Sequence, residues 1–538
     1  MRASDQRWPE RAAGVRRHLL GPAGGGPRRW LVLGVGGAAL IALALALLMS
    51  VVAPPFSAGD ENEHVSYALE VGHGRLPTLA TQVRPEIPRM RHDDIYTANH
   101  PPLFYVLEAV PLLVGTRTGH PVLGLHLARA LNALIDATGV VALAVLARVV
   151  VPRRPDVAVA AAALLAPVPL LVAVSGQVYN DALAVATSTG ALAAAATVLL
   201  RGPSRGRLAL LAGAALLATA TRATGGEPAA LAVLAAAVAV LVHATSSGWR
   251  RVGSAAAAAA AVAVPVVLGV GWFFERNRRL YGDPTGSRQA LRRFPDQRVP
   301  VLHSASSVTF WLHQYTGMFG RAQFFSGALR FTAYAVGAVL AVGALLAVGA
   351  VLSALLMGGR DGRRPRRSPP TKAVAVIALL AAHVLATGAI VLVYLSQGGI
   401  PYPRYLLAAV PVLALLVSYG YAVSSRYGIL FAGTPCLLAL VGLALVVGSH
   451  GNAFSQPPGL STAHRLSAAV HASGVPHSGL VLSAVALVLA AAVALVLAAF
   501  VTLRPQLLAD PATGTPACGD LPVARLRRWP VPRPRHRA

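Results

Sequence analysis

Four ionisable side chains, Asp60, Glu61, Glu63 and His64, fall within the stretch PPFSAGDENEHVSYALEVGHGRLP. They come directly after an apolar run, Leu31 to Val52. Carboxylates at a water–membrane boundary can take a proton from an acceptor, hold a divalent cation or orient sugar hydroxyls. If residues 61–71 are helical, Asp60, Glu63 and His64 share one face through i, i+3, i+4 spacing. Asp60 also suits a helix N-cap, but a cap accounts for one carboxylate and not for three beside a histidine. A second acidic pair, Asp93 and Asp94, follows in RHDDIYTANH. His100 stands before two prolines, where the backbone is extended.

The elements that must position these groups are membrane helices. The chain of 538 residues is 55% hydrophobic and 12% charged, about half the charged share of a soluble protein, with a mean hydropathy of +0.60. Apolar runs near the length of a membrane span recur from end to end. Their lack of alternation excludes a transmembrane β-barrel. The fold class expected is all-α, a polytopic helical membrane protein of about twelve transmembrane helices. The Ala/Arg-rich, Lys-poor usage is that of a GC-rich bacterial genome.

The net charge of +27 does not indicate nucleic acid. The arginines cluster in short loops between apolar runs, as the positive-inside rule requires of cytoplasmic loops. Both termini are accordingly expected in the cytoplasm and the protein in the plasma membrane. Residues 1–29 form a basic N-terminal segment, 30–503 the membrane domain and 504–538 a basic tail. The first apolar run is longer than a signal-peptide core and is expected to remain as a helix. Two long segments face outward: 53–125 with the acidic motif, and 275–330, whose arginines include Arg276 and Arg298. Cys436 and Cys518 make no disulfide framework.

Within the first loop, NHPPLFYVLEAVPLLVG reads as an amphipathic helix lying on the membrane, with Phe104 and Tyr105 at the interface, and not as a span. Asp136 lies inside the second apolar run, where a charge is costly in lipid. It is expected to face the bundle and pair with Arg129 or Asn132. YGDPTG, residues 281–286, has the chemistry of a turn and is expected to serve architecture.

The order of motifs then resembles a known class. A first helix is followed by GDENEH, NHPPLFY, YNDAL, TRATG, YGDPTG and PRYLL. This order is similar to that of the GT-C class of polyprenyl-phosphate-sugar-dependent glycosyltransferases, which includes protein O-mannosyltransferases and the aminoarabinose transferase of lipid A. The resemblance runs to about residue 423. It implies a GT-C-like fold with a large first extracytoplasmic loop and transfer of a sugar from a polyprenyl-phosphate carrier to an extracytoplasmic acceptor. It implies that Asp60 and Glu61 match the family's acidic pair, with Asp60 as base or acceptor-positioning group. Asp181, beside Asn180 in YNDAL, matches the second-loop acid. With Asp60 it would hold a divalent cation, Mg or Mn, if one is used. Arg222 matches a basic residue that contacts the lipid phosphate, and Arg404 and Tyr405 match the RYLLP motif, with Ala408 in place of its proline.

The chemistry agrees with these matches. Sugar transfer from a lipid phosphate needs a carboxylate for the acceptor proton and a cation for the departing phosphate, which the arginine fork binds bidentately. Glu63, His64, Asp93, Asp94 and His100 are the further candidates for lining the acceptor site. The partners expected are membrane lipid, the donor and the acceptor. Two other functions stay open on sequence alone, a transporter or lipid-linked-sugar flippase and a non-catalytic envelope protein of the same fold. Transporters place their ionisable groups near the midplane, whereas here the acids gather outside it.

Overall fold

In the computed structural model, the described residues are 26–56, 60–244, 248–292, 300–307, 310, 328–357, 371–399 and 403–423, with three single positions beyond. The expected helices eleven and twelve, the basic tail, Cys436, Cys518 and Arg298 lie outside them. Among the described residues the regular structure is helical, residues 73–102 form a long non-helical loop, and the only extended pairing is a single antiparallel bridge between Gln82 and Asp94. It is an all-α membrane protein.

Helix α1, Gly26–Val52, leads into α2, Glu61–Gly72, and then α3, Leu103–Arg117. The bundle continues with α4, Pro121–Val150, and the bent pair α5, Pro155–Leu165, and α6, Pro169–Ser175. Next come α7, Asp181–Arg201, α8, Arg205–Thr221, and α9, Gly226–His243. The last described helices are α10, Gly248–Tyr281, α11, Ala328–Met357, α12, Thr371–Ser396, and α13, Val410–Val423. Seven helices among the described residues are long and apolar enough to cross a bilayer, or eight if the α5–α6 pair, bent by 65°, is one span.

The bundle packs through small side chains. Ala161, Ala162, Ala196, Ala215, Ala232 and Ala236 are fully or almost fully buried in one core that joins α5, α7, α8 and α9. Alanine suits this position because helices in lipid gain nothing from mutual hydrophobicity and must gain from close contact. The Ala-rich α10 shares this only on one side, through Ala255, Ala258 and Val262, while Val267 and Leu268 are exposed.

A second core sits over one end of the bundle. There Val65, Tyr67, Ile95, Phe104, Tyr105 and Leu125 bury one another. This places α3 differently from the sequence expectation. It is not a span, but Phe104 and Tyr105 point inward and are fully buried, and Val106, Val110 and Val114 form its outer face. The reason is the neighbour: α3 lies on α4 so closely that a Cβ on Gly115 would stand 2.4 Å from Gly124 Cα. The turn at residues 281–286 is architectural. Asp283 accepts from the Thr285 backbone at 3.0 Å, and the Tyr281 hydroxyl accepts from Leu79 N at 3.0 Å, which fastens it to the first loop. Arg276 in turn donates to Pro77 O at 2.7 Å.

The two ends of the bundle differ in charge. Arg154 donates to Ala422 O at 3.1 Å, at the end of α13 away from Arg404, and Arg207 closes its own basic turn on Arg201 O at 2.7 Å. The end that carries α2 and α3 also carries the connections at residues 176–180, 222–225 and 403–409.

Candidate active site

Asp60 is the residue before α2, and its backbone carbonyl accepts from His64 N at 3.0 Å. Its side chain makes no cap. The carboxylate turns away from the helix it opens and accepts from the Tyr96 hydroxyl at 2.7 Å and from Arg404. The Asp60 amide donates to the Tyr179 hydroxyl at 3.0 Å. The Arg404 guanidinium lies 5.0 Å from the centre of the Tyr179 ring and 3.7 Å from the second carboxylate, Asp181 Oδ2. Arg222, at the end of α8, pairs with Asp181 Oδ1 and faces the Tyr405 ring at 5.8 Å. One guanidinium therefore touches both Asp60 and Asp181, and four charges alternate in a row: Asp60, Arg404, Asp181, Arg222. The row sums to zero, which lets it stand in a place where each group is 14% exposed or less.

Glu61 has a different setting. Arg129, on α4, donates to both of its oxygens at 2.7 Å, and both side chains are fully buried. The Phe56 amide at 3.1 Å and the Val178 amide at 3.2 Å complete the carboxylate. The remaining Arg129 donors reach Ser50 O at 2.7 Å, Ala53 O at 2.5 Å and Pro54 O at 3.3 Å. A lone buried charge would be prohibitive, and a bidentate pair with every remaining donor engaged is the arrangement that tolerates burial. The pair joins the end of α1, the start of α2, α4 and the turn before α7. It also corrects the expected partnership of Asp136, because Arg129 is spent on Glu61 and Asn132 donates to the carbonyls of Val174 and Gln177.

His64 and His100 lie behind Asp60, with ring centres 6.4 Å apart. His64 Nδ1 meets the Tyr105 hydroxyl at 3.0 Å. Burial first, then the charges of Arg404 and Arg222, holds His64 well below the usual imidazole range. Burial and Arg222 do the same for His100. Glu63 is buried, accepts from Asn62 Nδ2 at 3.1 Å, and is pushed above the ordinary carboxylate range mainly by burial. Asn180 is buried next to Asp181. Asp93 and Asp94 are not drawn into the row. Asp94 pairs with Gln82, and Asp93 caps the Asp94 amide at 2.7 Å on the loop surface.

The donor set does not suit a divalent cation held by Asp60 and Asp181. An ion between the two carboxylates would occupy the place of the Arg404 guanidinium and add two positive charges beside Arg222. Among the described residues no group of three or more His, Cys, Asp and Glu is placed to hold a metal. Sequence reasoning gave Arg129 a different partner from the Glu61 it holds, and missed Tyr96 and Tyr179. The signal for Arg129 was present, a full charge inside an apolar helix, but its partner is 68 positions away. The two tyrosines carry no such signal.

No curated protein matches the chain. Similar solved structures include ArnT from Cupriavidus metallidurans bound to undecaprenyl phosphate, 16% identical with a TM-score of 0.39, covering 90% of this chain and 79% of that one. Another is the oligosaccharyltransferase AglB from Archaeoglobus fulgidus in complex with an inhibitory peptide and a dolichol-phosphate. It is 15% identical with a TM-score of 0.38, and the match covers 86% of this chain and 56% of that one. The sequence pattern of DUF2142, a family described as predicted membrane proteins, matches residues 88–415, and the chain belongs to that family.

Proposed function

We propose that this protein is a membrane glycosyltransferase that moves a sugar from a polyprenyl-phosphate carrier to an extracytoplasmic acceptor. The observation that carries the reading is the row Asp60–Arg404–Asp181–Arg222 at one end of the bundle. In the reaction the acceptor hydroxyl attacks the anomeric carbon, and the bond from that carbon to the phosphate oxygen breaks. The hydroxyl proton goes to Asp60, and the bonding pair leaves with the polyprenyl phosphate. The departing phosphate gains a negative charge as the bond breaks. Arg404 and Arg222, already fixed by carboxylates and aromatic faces, stabilise that charge more than the ground state, which is what lowers the barrier. Tyr96 keeps Asp60 aimed while Arg404 turns to the phosphate. Glu61 takes no part in the chemistry and holds the frame. In this reading the row faces the cell exterior, where nucleotide sugars are scarce, so the donor is lipid-linked.

The test is purified protein in lipid with a polyprenyl-phosphate sugar, scored by release of polyprenyl phosphate. Release that depends on the lipid donor and fails in Asp60→Asn supports the reading. Turnover of a nucleotide sugar with no lipid carrier would end it. One observation favours a second reading, a flippase for lipid-linked sugars: the bent α5–α6 span beside the buried Asp136. Transbilayer movement of a labelled lipid-linked sugar without bond cleavage would distinguish it.

A further inference from the structure

Asp136 lies on α4 two turns, about 10 Å, further into the bundle than Arg129, and its side chain is buried. Neither of its oxygens makes a hydrogen bond of ordinary geometry among the described residues, and Ser175 is the side chain near enough to donate. Three neighbours share this condition: Asn132 Oδ1, Ser175 Oγ and Gln177 Oε1, on side chains that are all buried. Asn132 stands one turn before Asp136 on the same face of α4. Its Nδ2 donates to Val174 O at 3.1 Å and Gln177 O at 2.5 Å, so it abuts the end of α6 and the turn that follows. Gln177 Nε2 donates to Ala173 O at 3.2 Å. The Ser175 hydroxyl faces the Asp136 carboxylate.

The identities of the amide oxygens are fixed. A backbone carbonyl accepts only from the amide nitrogen, so both oxygens must point the other way. The result is five oxygen acceptors on four neighbouring buried side chains, with Ser175 supplying a single proton among them. Asp136 is the one carboxylate among them, so a bound ion would meet at most a single negative charge. A monovalent cation would neutralise that charge and satisfy all five atoms, whereas a divalent ion would leave an uncompensated charge in a low-dielectric interior. Broken helices at membrane depth are also where membrane proteins coordinate sodium with freed oxygens, and α6 is the second half of a span bent by 65°.

We infer that Asn132, Asp136, Ser175 and Gln177 form a binding site for a sodium ion that braces the turn between α6 and α7. That turn carries Tyr179 and Asn180 outward to Asp181, so the ion would hold the candidate active site from beneath. The inference stands on its own oxygens and does not depend on sugar transfer.

Thermal unfolding of the full chain in detergent tests it, with sodium chloride compared against choline chloride at equal ionic strength. The wild-type midpoint should rise by about 2–4 °C in sodium, as for a ligand that binds only the folded state. Asp136→Asn, which keeps the shape and removes the charge, should lose the rise. Equal midpoints in the two salts for the wild type, or the same rise in Asp136→Asn, would overturn the site. If Asp136→Asn does not fold, Ser175→Ala carries the comparison. Loss of one oxygen should move the half-effective sodium concentration up by about tenfold, about 1.4 kcal/mol, and an unmoved concentration would refute the site.

Discussion

Asp60 carries the sharpest expectation among single residues. Removing a general base costs about 10²–10⁴ in rate, so Asp60→Asn should reduce polyprenyl phosphate release by that range while still inserting in the membrane. Glu63→Gln should do far less, because Glu63 is buried against Asn62 and does not enter the row of charges. Near-normal release in Asp60→Asn would remove the residue as base. Arg404→Lys should not rescue Arg404→Ala, since an ammonium cannot reach two carboxylates with a planar fork. Equal release by Arg404→Lys and wild type would contradict the bridging role. Asp60 stood out in the sequence through its acidic cluster after the first apolar run, and Asp181, Arg222 and Arg404 through the resemblance in motif order. Tyr96 and Tyr179 did not, because a tyrosine in a loop has many uses. Only the folded chain puts the Tyr96 hydroxyl 2.7 Å from a carboxylate 36 positions away.

At the scale of helices, α3 supplies two measurements. Its Glu108 is fully buried, and neither carboxyl oxygen has a hydrogen bond among the described residues. Burial raises its proton affinity well above the ordinary carboxylate range. The folded protein then keeps a proton that the unfolded chain has lost, so stability falls as pH rises from the unfolded value toward the raised one. Unfolding midpoints across pH should show this decline in the wild type and a flatter profile in Glu108→Gln. An unchanged profile would mean that Glu108 is ionised in the fold. Gly115→Ala should lower stability by about 1–3 kcal/mol, because the added carbon meets the backbone of α4, which cannot yield as a side chain does. A midpoint equal to wild type would mean that the helices are further apart. Helix positions were largely readable from apolar length. The inward turn of Phe104 and Tyr105 was not, since one amphipathic stretch can rest on lipid or on protein, and only the α4 surface decides which face is buried.

For the molecule as a whole, charge asymmetry predicts the orientation in the membrane. In a chain with Cys436 and Cys518 replaced by serine, single cysteines at His92 and Arg288 should both react with an impermeant thiol reagent on intact cells. A cysteine at Arg205, among the basic turns, should react only after lysis. Labelling at only one of the first two positions would break the shared sidedness of the two long loops. The first loop and the 281–286 turn are held together by Asn99 Nδ2 to Thr285 O at 2.9 Å, so they should move as one surface.

The clamp of Arg129 on the end of α1 also bears on how the chain is made. The carbonyls of Ser50, Ala53 and Pro54 and the carboxylate of Glu61 all wait for a guanidinium from the next membrane segment. During synthesis, the first loop can thus take its final form only after α4 has entered the bilayer. Nascent chains stalled before α4 emerges should leave residues 60–100 open to protease. Chains stalled past α7 should protect them, and Arg129→Ala should keep them open at every length.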